Sequence, residues 1–411
     1  MTKNEIMEMH QLLGSLGINV DENLDSAYVY TELIRHAEEG DRTALYKLHN
    51  LARHYKGANE DVVKSMSVNA VNRLEGFEFK DEVIIDWDDE SNILVDIGVA
   101  NPLNTALAKA KEGDKVYLPK GEYTEPVTLD KAVTISALPN KDGSYPEVVL
   151  TKSVNVNAQT GTVDIENITF RCLTSPDGTG GTKTTAKGYG VEIKGACDCV
   201  MKNVVFDETK NYYNALFITT TGKVDLDGLV FDKGTYYHPI EIGTETKVKD
   251  GLSIKNCVFK EGYTHNAISM YQYEDNANIT IENNEFYYSG NALRFSNVNN
   301  AHANINIKDN VYRSTDPTPV GSLGNAACYY GNEQTPVTTY AGLSIFQNYT
   351  GTQDFSLMNV TMDNNYYAPF EGDAIKVSAE SFNTLAQPYY VWVDNKTVAG
   401  AVLKAPTVTF K

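Results

Sequence analysis

The sequence has no apolar run near the ~18 residues that a membrane-spanning helix needs. Its opening, Met1-Thr2-Lys3-Asn4-Glu5, is polar, and no apolar h-region follows it. The expectation is no Sec-type export. Cysteine is sparse and odd in number: Cys172, Cys197, Cys199, Cys257 and Cys328. Scattered in this way, the thiols make no disulfide framework and point to synthesis in a reducing compartment. Cys197-Asp198-Cys199 lacks a second pair or a nearby histidine, so no metal site is expected. Basic residues are the minority charge: 35 Lys and Arg against 54 Asp and Glu leave a net −19. That excess repels a phosphate backbone and an anionic leaflet, so neither nucleic acid nor membrane is an expected partner. It also keeps a concentrated protein soluble. With 42% hydrophobic and 22% charged residues in 411, the chain is folded, as two or three domains or as one elongated repeat body.

Residues 1–76 predict a small all-helical domain. Thr2 and Glu5 have capping-box spacing, and Asp41 and Asn59 stand as N-caps. Ala44, Leu48, Leu51 and Tyr55 recur at helical spacing, as do Val63, Met66, Ala70 and Leu74. Gly40, Gly57 and Gly76 sit where C-caps belong. Four short helices make a thin core, so they should pack on a neighbour, as a cap on the following body or as an anchor on another protein.

After Gly76 the period changes to two. An eight-residue unit then recurs: Val163-Asp-Ile-Glu-Asn-Ile-Thr-Phe170, Cys199-Val-Met-Lys-Asn-Val-Val-Phe206, Val224-Asp-Leu-Asp-Gly-Leu-Val-Phe231 and Leu252-Ser-Ile-Lys-Asn-Cys-Val-Phe259. Ile279-Thr-Ile-Glu-Asn-Asn-Glu-Phe286, Ile305-Asn-Ile-Lys-Asp-Asn-Val-Tyr312 and Val360-Thr-Met-Asp-Asn-Asn-Tyr-Tyr367 continue it. The closing aromatics lie 36, 25, 28, 27, 26 and 55 residues apart. The middle spacings are one rung each, the first is a rung with an insertion, and the last is expected to span about two rungs. Positions one and three are apolar and should point inward; two and four are polar and should point outward. Position five is Asn, Asp or Gly, the residues that tolerate the positive φ of a tight bend. Position six changes from aliphatic to Asn284, Asn310 and Asn365, which predicts an internal asparagine ladder. Position eight should stack rings in the core.

A second strand follows each unit, as in Gly190–Ile193, Ala215–Ile218, Pro239–Ile242, Ala267–Met270, Ala292–Phe295 and Ala374–Val377. Gly342–Ile345 is expected to supply it for the rung within the wide gap. The fold class is therefore mainly β, a right-handed single-stranded parallel β-helix over 77–387 with a small all-α N-terminal domain. A helical plug is expected near 101–112, a long loop over 313–340, and a C-terminal hairpin cap over 388–411 with its turn near Asp394-Asn395.

Leu103, Leu107 and Ala110 on a short helix, Gly113, then Val116-Tyr-Leu-Pro119, a turn at Lys120-Gly121, and the β runs Val127-Thr-Leu129 and Ala132–Ile135 form one opening pattern. It resembles the start of proteins of the pectin-lyase-like β-helix superfamily. The resemblance implies a helix plugging the end of the solenoid, which would otherwise expose its interior and a free ladder edge.

That fold hosts lyases, hydrolases, tailspikes and virion structural proteins, so it does not settle function. The outward column of the second strand is Glu192, Phe217, Glu241, Ser269, Arg294, Ser344 and Lys376. Glu241 and Arg294, with His238 and His265 in the bordering turn, are the catalytic candidates, since a carboxylate, an arginine and a histidine can bind and deprotonate a uronic acid. The same column equally makes an alternating-charge surface ladder. Paired-Asp and Gly-His-Gly signatures of polygalacturonase-like hydrolases are absent, and Asp225 with Asp227 is too little for a calcium cluster. Tyrosine pairs line the turns, which makes Tyr213, Tyr237, Tyr271 and Tyr288, with Glu192, a candidate contact surface.

Two functional expectations follow, and no cofactor is implied by either. In one, the chain is a bacteriophage virion structural protein, a capsid decoration or head–tail accessory made in the host cytoplasm, docked on other virion proteins through residues 1–76. In the other, it is a tailspike-like protein that binds or cleaves a surface polysaccharide. Side-by-side trimers would suit both.

Overall fold

The computed structural model describes residues 85–140, 143–171, 189–207, 214–232, 238–243, 251–260, 266–288, 291–314, 346–348, 353–368, 373–381, 389–393, 396–398, 404 and 406–411. The expected helices of 1–76, the loop at 313–340 beyond its first two residues, and the turn at Asp394-Asn395 lie outside them. The chain divides into two compact units, Met1–Ile85 with Pro139–Pro146, and Asp86–Leu138 with Glu147–Lys411.

The second unit is a parallel β-helix built on three sheets. The first half of each octad forms a long eleven-stranded sheet from Asn92–Leu94 to Thr407–Phe410. The second half forms a ten-stranded sheet that begins at Gly121–Tyr123. The strand after the octad builds a third sheet, also ten-stranded, that begins at Val127–Leu129. Octads pair in register, with Cys199 opposite Val224, Leu252 opposite Ile279 and Ile279 opposite Ile305. Every first and third position is thereby inside; Val163, Ile165, Cys199, Met201, Val224 and Leu226 are all fully buried.

The corner between the first two sheets is left-handed in every octad: Asn167, Asn203, Gly228, Asn256, Asn283, Asp309 and Asn364 have φ between 50° and 68°. A left-handed backbone is strained for most side chains and least so for Gly, Asn and Asp. The asparagines add a ladder. Asn203 Nδ2 donates to Asn167 Oδ1 at 3.2 Å, and Asn283 Nδ2 to Asn256 Oδ1 at 2.6 Å. At Gly228 a Cβ would come within 2.9 Å of Asn203 Oδ1, so the glycine both turns the chain and leaves room for the amide below.

Inside, Phe170, Phe206, Phe231, Phe259, Phe286 and Tyr312 stack in one file, with successive centroids 5.3, 4.9, 4.8, 4.8 and 5.2 Å apart. In the later rungs position six is polar and fully satisfied. Asn284 N–H donates to Asn310 Oδ1 at 2.9 Å, and Asn310 N–H to Asn365 Oδ1 at 3.1 Å. Asn310 Nδ2 also reaches the Ile281 carbonyl at 2.8 Å.

The helix Pro102–Lys109 turns Leu103 and Ala106 into the core and packs on Lys115–Leu118 and Val127–Leu129. Glu125 accepts from the Leu103 N–H at 2.9 Å, while Lys131 Nζ donates to the carbonyls of Leu107 and Ala110 at 3.2 and 2.8 Å. Carboxylate at the N-terminus and ammonium at the C-terminus satisfy orphan backbone groups of opposite sign.

Three expectations change at the C-terminal end. Ile305 pairs directly with Val360 and Val311 with Tyr366, so the 55-residue spacing is one rung carrying a long insertion, not two rungs. The third sheet continues through Phe346–Asn348, just beyond the expected Gly342–Ile345, which lies outside the described residues. Ile375–Lys376 folds back antiparallel on Tyr366–Ala368, and Tyr389–Val393 takes the place expected of it. Tyr389–Val393 also forms the hairpin with Lys396–Val398, and Thr407–Phe410 returns to the long sheet. Spacing alone cannot tell an insertion from a rung, because both lengthen the chain between identical octads.

Asn310→Leu removes two buried acceptor contacts and strands the Asn284 N–H, and it should destabilise by about 2–3 kcal/mol. Asn304→Leu, at an exposed outward position, should cost no more than about 0.5 kcal/mol. Urea unfolding of the two variants side by side measures the difference.

Candidate functional site

The sequence candidates converge on the outer side of the third sheet. Ile240 and Ile242, Ile268 and Met270, and Leu293 and Phe295 all join the core. Strand alternation therefore sends Glu241, Ser269 and Arg294 outward. They are register neighbours on successive rungs, Glu241 beside Ser269 and Ser269 beside Arg294. Two rungs put the acid and the arginine about 10 Å apart along the sheet.

This column is not the solvent-facing ladder that its alternation predicts. Ser269 and Arg294 have 0% of their surface exposed, and Glu241 is only partly exposed. His238 is likewise fully buried. Outward direction and exposure are separate matters here, because the face of the sheet is itself covered.

Glu241 Oε2 accepts from Asn214 Nδ2 at 2.6 Å, and Asn214 Oδ1 accepts from the His238 N–H at 3.0 Å. His238 Nδ1 sits 3.0 Å from the Asn266 carbonyl oxygen and 3.2 Å from its nitrogen, which ties the imidazole to the neighbouring rung's backbone. The Arg294 guanidinium lies 4.5 Å from the centre of the Tyr271 ring, a cation–π contact. Burial pushes the Glu241 carboxyl up to about 7, against the Asn214 hydrogen bond and the charge of Arg294, which both favour the anion. Burial also raises the nearby Tyr273 phenol, again opposed by Arg294. An acid poised near neutrality is what proton transfer requires. Among the described residues, its neighbours Ser269, Arg294 and His238 are fully buried.

The other candidates are dispersed. Tyr271 is 3% exposed beneath Arg294, so it serves the buried column and not a contact surface. Glu192 lies outward on Tyr189–Ile193, opposite Phe217, and is held by Lys194 Nζ at 2.9 Å. Tyr288 ends Glu285–Tyr288, opposite Ser314. Tyr213, Tyr237 and His265 lie outside the described residues. Asp227 accepts from Asn256 Nδ2 at 2.6 Å and so belongs to the corner ladder. Cys199 points into the core, where burial pushes its thiol well up.

Sequence reasoning missed Asn214 as the partner of Glu241. The signal was present in the register, since Asn214 stands opposite His238 one rung earlier.

A scan against models of known protein families finds no match to the chain, and a search of curated proteins finds no relative.

Glu241 gives stability a specific pH dependence. The unfolded carboxyl titrates near 4.5 and the folded one near 7. Between those values the unfolded chain has released its proton while the folded chain still holds it, so rising pH favours unfolding. Wild type should lose on the order of 3 kcal/mol between pH 4.5 and 7 from this group, and nothing further above it. Glu241→Gln should flatten that part of the profile, read as unfolding free energy against pH.

Proposed function

We propose that the chain is a structural protein of a bacteriophage particle, a capsid decoration or head–tail accessory protein carried on the virion. In this reading residues 1–76 dock on other virion proteins and the β-helix projects, a non-catalytic body of the pectin-lyase-like kind. The observation that supports it is the burial of two of the four catalytic candidates: His238 and Arg294 are both at 0% exposure, while Glu241 is partly exposed and His265 lies outside the described residues. With those two closed to substrate, a stiff spacer is left as the use of the fold. Ten strand spacings along the long sheet make a body about 50 Å long, held by parallel ladders and a continuous aromatic file.

One observation favours glycan binding as a second reading. Ser269 Oγ and Asn266 Oδ1 are buried and make no hydrogen bond among the described residues, beside an acid poised near neutrality. Buried polar atoms without partners are uncommon in native proteins, and a sugar hydroxyl would satisfy them once the face over Ser269 and Asn266 opened.

Removing residues 1–76 separates the readings. The particle reading expects the truncated chain to disappear from purified virions, by mass spectrometry, while the β-sheet circular dichroism signal persists. Retention on particles, or shortening of an acidic polysaccharide by the full chain, would reverse the assignment.

A further inference from the structure

Among the described residues the first rung carries an exposed apolar surface. Among the described residues six large hydrophobic side chains are exposed, and four of them fall within one short stretch: Trp87 at 48%, Leu94 at 48%, Ile97 at 65% and Val99 at 40%. Trp87 meets Tyr117 edge-on at 5.7 Å, and Leu94 lies opposite Tyr117 in the register, so Trp87 and Leu94 flank one ring. Isolated exposed apolar residues need no explanation, but a cluster of them at one site does.

The strand Asn92–Leu94 is also an edge, closed at Asn92, whose N–H donates to the Asp89 carbonyl at 3.0 Å, and open at Leu94. Among the described residues it is the end of the eleven-stranded sheet and pairs on one side only, with Lys115–Leu118. Lys115 N–H donates to the Ser91 carbonyl and Val95 N–H to the Tyr117 carbonyl. Strand alternation then directs the peptide groups of Leu94 away from the sheet. Such an edge is a template for another strand.

The rim supplies the sign of the partner. Residues 86–96, which form and flank the edge, hold five carboxylates, Asp86, Asp88, Asp89, Glu90 and Asp96, against one cation in the register, Lys115 opposite Asn92. All five are exposed. An apolar centre with a charged rim is the anatomy of a protein interface. A second copy would set these acids against their own kind, and nucleic acid or an anionic bilayer would meet the same repulsion. We propose that the edge strand Asn92–Leu94 accepts an extended segment of another protein, rich in Lys or Arg and aliphatic residues, as an added strand of the long sheet. Alternate side chains of that segment cover Trp87, Leu94 and Ile97, and its cations face the carboxylate rim. This does not depend on the particle reading, and either can fail alone.

The test uses the full chain carrying Trp392→Phe, which leaves Trp87 as the one tryptophan of the two in the sequence. The probe is a short peptide of alternating Lys and Val; its control alternates Glu and Val. The Lys/Val peptide should shift Trp87 emission and slow amide exchange at Leu94. Its affinity should fall about tenfold between low and moderate salt, and about tenfold again in Asp88→Lys/Asp89→Lys/Asp96→Lys. Ile97→Ser, in a loop with no side-chain support to lose, should weaken binding without moving the unfolding midpoint. Equal binding of the Glu/Val peptide, or undiminished binding to the triple Lys variant, overturns the proposal. So does binding that leaves Leu94 exchange unchanged. Self-association abolished by Ile97→Ser, or tighter binding to phosphatidylglycerol vesicles than to the peptide, would replace it with a second copy or a membrane.

Discussion

Each coil must turn from one sheet to the next within a residue or two and leave no backbone group stranded, and a left-handed residue at that corner makes this possible. Asn167, Asn203, Asn256, Asn283, Asp309 and Asn364 share the conformation. Because the corner is the same in each coil, the strands on either side arrive in register. Equal register then puts Phe206 over Phe231 and Phe259 over Phe286. The corner side chains brace one another, as Asn364 Nδ2 does with Asp309 Oδ1 at 2.6 Å. Replacing a corner Asn with a β-branched residue would act on three layers at once: the turn, the amide ladder and the aromatic file.

Polar groups are used inside the body where geometry satisfies them fully. Asn284, Asn310 and Asn365 replace the aliphatic residues of earlier rungs and donate and accept along the axis, and the Cys257 N–H closes the ladder on Asn284 Oδ1 at 2.9 Å. The cluster around Glu241 follows a different logic. There one carboxyl oxygen has an amide donor, burial holds the proton on, and the arginine is stacked on a ring. The first arrangement adds rigidity at any pH. The second couples a buried carboxyl in the middle rungs to pH, with His238 and Arg294 fully buried beside it.

The ends of the body contrast with its middle. At the first rung the helix Pro102–Lys109 covers the hydrophobic interior, with Leu103 and Ala106 inserted. Among the described residues the edge strand Asn92–Leu94 pairs on one side only and carries an apolar, acid-rimmed surface. A solenoid interior must be closed for the chain to stay folded, whereas an edge can be held open by charge. The carboxylates from Asp86 to Asp96 set like charge against a second copy of this acidic chain at that edge, one of the ways proteins protect edge strands.

Much of the fold was legible because a two-residue period and a recurring positive-φ position are local properties. Residues such as Val163, Ile165, Asn167 and Phe170 state by their own chemistry which way they face and where the chain bends. Local pattern could not count rungs across the insertion before Val360, since only pairing tells a looped-out stretch from a coil. It could not assign Ile375–Lys376, whose alternation suits a parallel and an antiparallel partner alike. The candidate site divides along the same line. Sequence put Glu241, Ser269 and Arg294 in one outward column, because side-chain direction follows from strand alternation. Only the tertiary structure decided that Ser269 and Arg294 are buried, that Asn214 holds Glu241, and that Tyr271 lies under Arg294, since burial and partners depend on which side chains the stacking of rungs brings together.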